Sequence, residues 1–381
     1  METQPTRRPL VLLSSCVFFV ICTEVLPVGL LPEISRGLRV STAATGYLVT
    51  SYAVVVALMS VPVAAVVERW PRRSVLAVLL AAYALSNVVF ALAPAYGFAV
   101  VARVLGGIAH AGFFAVAVAA AVSLVEPARA GRAITLVMTG NSLSLVFGIP
   151  LGTALGTALG WRWAFGVLAL VCAGLALAVL RVMPTREALP AGARTPVLRG
   201  VRQPAVLVMT AVITLLSLGH FTLFTYISPL LLHDGVARTS IGPVLFGYGC
   251  GGLLGLALAG AVVTRRPEAG LTADILLMGL SLVLGATVGS TTGIVVVAVV
   301  WGVAFGALPT LTQTVMLRAA GDATDAASAL VNATTNLGIA GGSLLGSLLL
   351  GGFAVPTLGW FGAGLVAAAL GAFWLRLRRF P

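Results

Sequence analysis

The chain contains no lysine, and all 23 of its basic residues are arginine. Charge of either sign is scarce: Asp, Glu, Lys and Arg together make up 9% of 381 residues, and only 11 residues are acidic. Long polar stretches are missing as well. The one exception is 183–204, MPTREALPAGARTPVLRGVRQP. A soluble chain of this length needs a charged skin over its core, so the shortage of charge excludes a soluble globular protein. Cysteine is limited to Cys16, Cys22, Cys172 and Cys250, each inside an apolar run and none at metal-ligand spacing. That pattern excludes a disulfide framework or a thiolate metal site and reads the thiols as small, buried, apolar side chains.

Apolar residues fill the chain instead, at 59%, and the mean hydropathy is +1.08. Twelve runs are long enough to cross a bilayer, at approximately 10–31, 43–66, 74–93, 97–121, 133–157, 163–182, 205–230, 240–263, 271–289, 293–317, 327–350 and 358–375. In hydrocarbon every backbone group must be bonded within its own segment, so these runs are helices and the fold is an all-α membrane protein. The first run is too long for a signal-peptide core and no small-residue cleavage site follows it, so it reads as a helix that stays.

The net charge of +12 invites a nucleic-acid reading, but its distribution argues for a membrane. Eighteen of the 23 arginines fall on one side of the twelve runs. Four, Arg36, Arg39, Arg162 and Arg238, fall on the other, and Arg103 lies within a run. The positive-inside rule then places both termini in the cytoplasm. The partners implied are a lipid bilayer and a small molecule, with no nucleic acid, cofactor or metal, acting as a monomer.

The polar stretch 183–204 divides the chain into an N-terminal six-helix bundle, 1–182, and a C-terminal one, 205–381. The two halves match at a nearly constant offset. Ala64-x-x-x-Glu68-Arg69 answers to Gly260-x-x-x-Thr264-Arg265 at 196, and Gly107-Ile-Ala to Gly302-Val-Ala at 195. Asn141 answers to Asn336 at 195, and Leu159-Gly160-Trp161 to Leu358-Gly359-Trp360 at 199. Four matches in order indicate a duplication, two pseudo-symmetric bundles with a binding site expected near mid-membrane.

Glu24 is the one carboxylate well inside a run, whereas Asp274 is near a cytoplasmic end and is expected to reach the interface. Arg103 sits in FAVVARVLGGIAHAGFF, where an uncompensated arginine costs roughly 3 kcal/mol or more. Counting from the outer surface, Glu24 is about 10 Å deep and Arg103 about 9 Å, so the two opposite charges share one layer. A pair that closes and opens would load and release a proton, as a proton-coupled carrier requires; a permanent ion pair pinning two helices is the alternative. His110 follows Arg103 by two turns, and His220 falls at the repeat position of Glu24. Either could meet solute or proton, or serve packing. Phe221, Tyr226, Trp301, Phe305, Gln313, Asn141 and Asn336 complete a candidate cavity, apolar and aromatic with a few polar handles.

Glycines repeat at four-residue spacing in the fifth run (Gly148, Gly152, Gly156, Gly160), the eighth (Gly247, Gly251, Gly255) and the eleventh (Gly338, Gly342, Gly346). Such stripes let neighbouring backbones come close. Pro150 among the first set predicts a bend. The loop Glu68-Arg69-Trp70-Pro71-Arg72-Arg73 is either a solvated basic turn or, through Glu68, a cytoplasmic latch.

At these residues the chain resembles the major facilitator superfamily, and within it the twelve-span drug:proton antiporters. The family's loop motif G-x-x-x-D-R-x-G-R-R appears as Ala64-x-x-x-Glu68-Arg69-Trp70-Pro71-Arg72-Arg73, with both glycines and the aspartate replaced. Its fourth-span motif R-x-x-x-G appears as Arg103-Val-Leu-Gly106-Gly107, and the resemblance ties that arginine to proton coupling. Its fifth-span antiporter motif appears modified as Gly148-Ile149-Pro150-Leu151-Gly152, with Gly140 upstream. Thr23-Glu24 followed by Gly-Leu-Leu-Pro, the Trp-Pro-Arg-Arg loop, His110 and Gly160-Trp161-Arg162 resemble the branch of bacterial chloramphenicol-resistance and sugar-efflux exporters. The resemblance implies a bacterial inner-membrane exporter of small amphipathic compounds, chloramphenicol-type drugs first and sugars second, driven by protons through Glu24 and Arg103. An enzyme is disfavoured, since the chain has no H-E-x-x-H, no intramembrane aspartate pair and no serine–histidine set at matched depth.

Overall fold

The computed structural model describes residues 4–67, 70–126, 129–184, 203–320 and 324–379. These residues form helices α1 (Gln4–Gly29), α2 (Leu31–Leu38), α3 (Thr42–Val67), α4 (Arg72–Ala91), α5 (Tyr96–Ser123), α6 (Ala130–Leu143), α7 (Ile149–Leu159) and α8 (Trp161–Val182). There follow α9 (Pro204–Phe224), α10 (Ile227–His233), α11 (Ile241–Val262), α12 (Pro267–Thr287), α13 (Thr291–Ala320), α14 (Thr324–Leu350) and α15 (Thr357–Arg379). Twelve helical segments are long and apolar enough to cross a membrane, and each coincides with one of the twelve apolar runs. The outer faces are apolar too. Leu170 is 75% exposed and Trp163 67%, a cost in water and none in lipid.

Two expected spans overrun what forms. The first helix stops at Gly29 and restarts as the short α2; the seventh stops at Phe224 and restarts as α10. The restarts, Leu31 and Ile227, are 196 positions apart, so the break belongs to the repeat. Pro32 and Pro229 lie in the first turns of the restarts, where a missing N–H leaves no helical bond unmade.

The described contacts resolve two compact units: Met1–Val40 with Ser51–Gly192, and Ser41–Thr50 with Ala193–Pro381. Residues 185–202, most of the expected 183–204 linker, lie outside the described residues. In the first unit α4 packs on α8 and α5, and α1 on α6. Its core runs through Leu13, Val17, Leu76, Tyr83, Phe113 and Cys172. In the second unit α11 packs on α13, and α9 on α14 and α15.

The glycines set these helix pairs. Along 140–156, a side chain at Gly140, Gly148, Gly152 or Gly156 would strike Ser14, Cys22, Leu26 or Leu30, the first three on α1 and the last just past its end. Gly160 does not continue that stripe. It joins α7 to α8 at φ +99° with nothing near its absent Cβ, so its glycine answers to backbone conformation rather than to packing. The expected bend takes a defined form: Ser144–Gly148 is one turn of π-helix ending two residues before Pro150, and Ile149 N–H reaches back five residues to the Ser144 carbonyl. Proline lacks the donor that would keep the i→i−4 ladder in register, and the ladder slips by one residue.

Gly251 and Gly255 of α11 and Gly302 and Gly306 of α13 each abut main chain of the other helix. Main chain cannot move aside as a side-chain end can. Gly302→Val is therefore expected to lower thermal stability by the ~1–3 kcal/mol that overpacking costs, or more. Gly174→Ala, at a site with nothing within 4 Å, is expected to leave it level or slightly raised. Thermal unfolding of the detergent-solubilised chain reads both.

Candidate functional site

Arg103 is 3% exposed on α5. Its guanidinium donates to two backbone carbonyls of α1, from Nη1 to Thr23 at 2.8 Å and from Nη2 to Glu24 at 2.9 Å. The sequence explains why the Thr23 carbonyl takes an external donor. Its helical partner would be the N–H four residues on, and that residue is Pro27, which has none. Arg103 supplies the missing donor, and its guanidinium carbon lies 4.1 Å from the centroid of the Tyr52 ring. A buried unsatisfied carbonyl would otherwise cost ~1–3 kcal/mol.

Beside this anchor lies a chain of titratable groups from four helices, α1, α3, α4 and α5. The Glu24 carboxylate, 14% exposed, is 3.7 Å from His110 Nδ1. The same ring nitrogen is 3.0 Å from the Tyr52 hydroxyl, which is 3.3 Å from the Tyr83 hydroxyl. Behind them the Asn87 amide donates to Thr23 Oγ1 at 3.0 Å and holds α4 to α1. Gly107 makes the approach possible, since a side chain there would strike the Tyr52 carbonyl and Val55. The structure thus brings Glu24, Arg103 and His110 together and adds Tyr52 and Tyr83, which a search for intramembrane charge passes over.

The second unit repeats these positions with other chemistry. Glu24 and His220 are 196 positions apart, as are Tyr52 and Tyr248; Tyr83 and Met278, and His110 and Phe305, are 195 apart. His220, Phe221, Trp301 and Phe305 come together with Phe224 and Tyr248 in one aromatic cluster. Tyr226 is elsewhere. It is fully buried at the break between α9 and α10, with its hydroxyl 2.5 Å from Ser347 Oγ and donating to the Ser343 carbonyl at 3.3 Å. Asn141, Gln313 and Asn336 are half-buried on α6, α13 and α14.

Two placements differ from expectation. Asp274 does not reach the interface; it is 6% exposed on a helix packed against α13 and α15. Cys250 is exposed on α11, unlike the other three cysteines. In the basic turn after α3, whose Trp70 and Pro71 are exposed, Arg72 donates to the Ala119 carbonyl at 2.7 Å and Arg73 to that of Leu180, placing two positive charges at the carbonyl ends of α5 and α8. Glu68 and Arg69 lie outside the described residues, as does the side chain of Asn332, a further amide within the apolar runs.

Comparison with known proteins completes the picture. A family model described as Major Facilitator Superfamily matches residues 13–340. The chain is 36% identical over 354 residues to a chloramphenicol efflux pump of Mycobacterium tuberculosis (strain CDC 1551 / Oshkosh), covering 88% of this chain and 84% of that one. It is 29% identical over 374 residues to a probable sugar efflux transporter of Mannheimia succiniciproducens, covering 97% and 94%. Among solved structures, a bacterial homolog of the human lysosomal transporter Spinster superposes with a TM-score of 0.85 at 16% identity, covering 100% of this chain and 98% of that one. A nucleoside transporter gives 0.76 at 14%, covering 97% and 99%. At those identities the structural likeness speaks for the fold alone.

Proposed function

Because the chain belongs to the major facilitator superfamily, we propose that it is a proton-driven exporter of small amphipathic compounds. It works by alternating access in a bacterial cell membrane, with both termini cytoplasmic. Chloramphenicol-type drugs are the first-choice solute.

The observation that carries the proton-coupled reading is Glu24, a carboxylate at membrane depth that is partly exposed and 3.7 Å from an imidazole. Ionised, it attracts His110 and the Arg103 guanidinium beside its own main chain. Protonated, it loses that attraction, and the cost of holding a charge there disappears. Arg103 is bonded to carbonyls that do not titrate, so it stays in place through the cycle and supplies a constant positive field. His110 and Tyr52 relay between the acid and the aromatic interior. The carrier's two faces thus differ in whether a proton sits on Glu24, which is the coupling an antiporter needs.

The drug reading is supported by the efflux pump of 36% identity. A second reading, export of a sugar or metabolite, is favoured by the sugar transporter matched over 97% of this chain. Everted vesicles with an imposed pH gradient and a panel of phenicols, dyes and sugars separate the two. Uptake of phenicols that collapses with a protonophore is expected. Uptake of sugars alone would shift the substrate to the second reading, and uptake indifferent to the protonophore would overturn proton coupling.

A further inference from the structure

The aromatic cluster of the second unit has no part in the proton cycle, yet it is built with the same care. The His220 ring stacks on Phe305 at 4.1 Å and 5° and lies near-parallel to Phe224 at 5.0 Å and 22°, the two phenyl rings being 6.0 Å from each other. The Trp301 indole N–H donates to His220 Nδ1 at 3.1 Å and also points at Met278 Sδ at 3.1 Å. An indole nitrogen can only donate, so Nδ1 is the acceptor and the neutral ring carries its hydrogen on Nε2. That Nε2 is buried without a hydrogen-bond partner, and so is the hydroxyl of Tyr248. The two belong to one enclosure: Tyr248 is 5.1 Å from Phe224, 5.9 Å from Trp301 and 6.2 Å from Phe305.

Buried polar atoms in native proteins have partners, and two unpartnered ones among the same rings call for a shared one. His220, Tyr248 and Trp301 are buried, whereas Phe221 and Phe305 are only half-buried, so the enclosure has an accessible side. We propose that it is the solute's ring-binding subsite, taking a small, uncharged, planar aromatic compound. Both polar atoms are covered in this structure, so binding displaces the half-buried Phe221 and Phe305 rings: the solute ring packs against them and its acceptor oxygen reaches the uncovered His220 Nε2–H and Tyr248 hydroxyl. This rests on the exporter reading and divides its labour between the repeats. The positions that hold Glu24 and His110 in the first unit hold His220 and Phe305 in the second, so the proton is handled in one unit and the ring in the other. A cation is disfavoured, because the unpartnered imidazole nitrogen is a donor and, among the described residues, no carboxylate is in ring or hydrogen-bond contact with the cluster.

The test is equilibrium binding to the purified full chain, with radiolabelled chloramphenicol as the ring-bearing probe and arabinose as the ringless one. His220→Phe keeps the stack and removes the donor; Tyr248→Phe removes the hydroxyl. Each is expected to weaken chloramphenicol binding about tenfold, the worth of one good hydrogen bond, and to leave arabinose unchanged. Wild-type affinity in both His220→Phe and Tyr248→Phe would overturn the proposal, as would a wild-type chain that binds arabinose only or neither probe. Should His220→Phe fail to fold, Tyr248→Phe decides alone. Aromatic binding that needs His220, in a chain whose vesicles show no proton-driven uptake, would sink the exporter reading and spare the subsite.

Discussion

Glu24→Gln is expected to reduce pH-gradient-driven uptake into everted vesicles to the level of vesicles lacking the protein, with folding unimpaired. Glutamine keeps the length and the hydrogen-bonding oxygen of the protonated acid but cannot ionise. The substitution therefore locks the site in its proton-loaded form. Thr23, which tethers the helix to Asn87 at 3.0 Å, is untouched, and so are the main-chain carbonyls that Arg103 holds. Thermal unfolding should accordingly change by no more than ~1 kcal/mol, the worth of a partly exposed polar contact. The sharper readout is exchange. With labelled solute on one side, unlabelled on the other and no gradient, exchange needs the carrier to turn over and does not need a proton to leave. Exchange is expected to survive while gradient-driven accumulation disappears. Accumulation in the glutamine variant at the wild-type rate would remove Glu24 from the mechanism, and loss of both activities with a lowered melting temperature would make it a structural acid.

The sequence displays some of this more openly than the rest, for physical reasons. A membrane span announces itself by length and apolarity, which is why twelve runs map onto twelve helices. Depth counting also brings Glu24 and Arg103 to one layer, since rise per residue in a helix is constant. Two kinds of information escape it. One is the acceptor created by a missing donor. A search for charges looks for the acid that Arg103 pairs with, whereas the structure gives its guanidinium the carbonyl that Pro27 leaves free. Proline four residues after an apparently ordinary threonine was the available signal. The other is the role of tyrosine. Tyr52 and Tyr248 look like two of many aromatics until the repeat offset is applied to them; then both fall beside their unit's functional cluster. Depth counting likewise misleads for Asp274, because burial depends on which face of the helix a residue occupies as well as on its distance from the end. Gly160 misleads the four-residue count, because spacing alone does not distinguish a packing glycine from one that ends a helix.

The largest stability effect is expected at Arg103, and the repeat supplies its control. Proline and arginine occur together in the first unit at Pro27 and Arg103. In the second unit the residue 196 positions after Pro27 is Leu223, and the residue 195 after Arg103 is Ala298. Where the helix keeps its donor, no guanidinium is present, as expected if the arginine serves the freed carbonyl. Arg103→Met should leave the Thr23 and Glu24 carbonyls without that donor in an apolar interior and cost ~2–4 kcal/mol. Arg103→Lys should recover only part of it, because an ammonium cannot span two carbonyls as a fork does or lie flat on Tyr52. Pro27→Ala restores the N–H that the Thr23 carbonyl lacks. Arg103→Met should then cost at least ~1 kcal/mol less in the Pro27→Ala background than in the wild type, a coupling that thermal unfolding of the four proteins measures directly. Equal costs in both backgrounds would show that the arginine's contribution does not pass through the proline-freed carbonyl, leaving its electrostatic action on Glu24 as the reason for its place in the membrane.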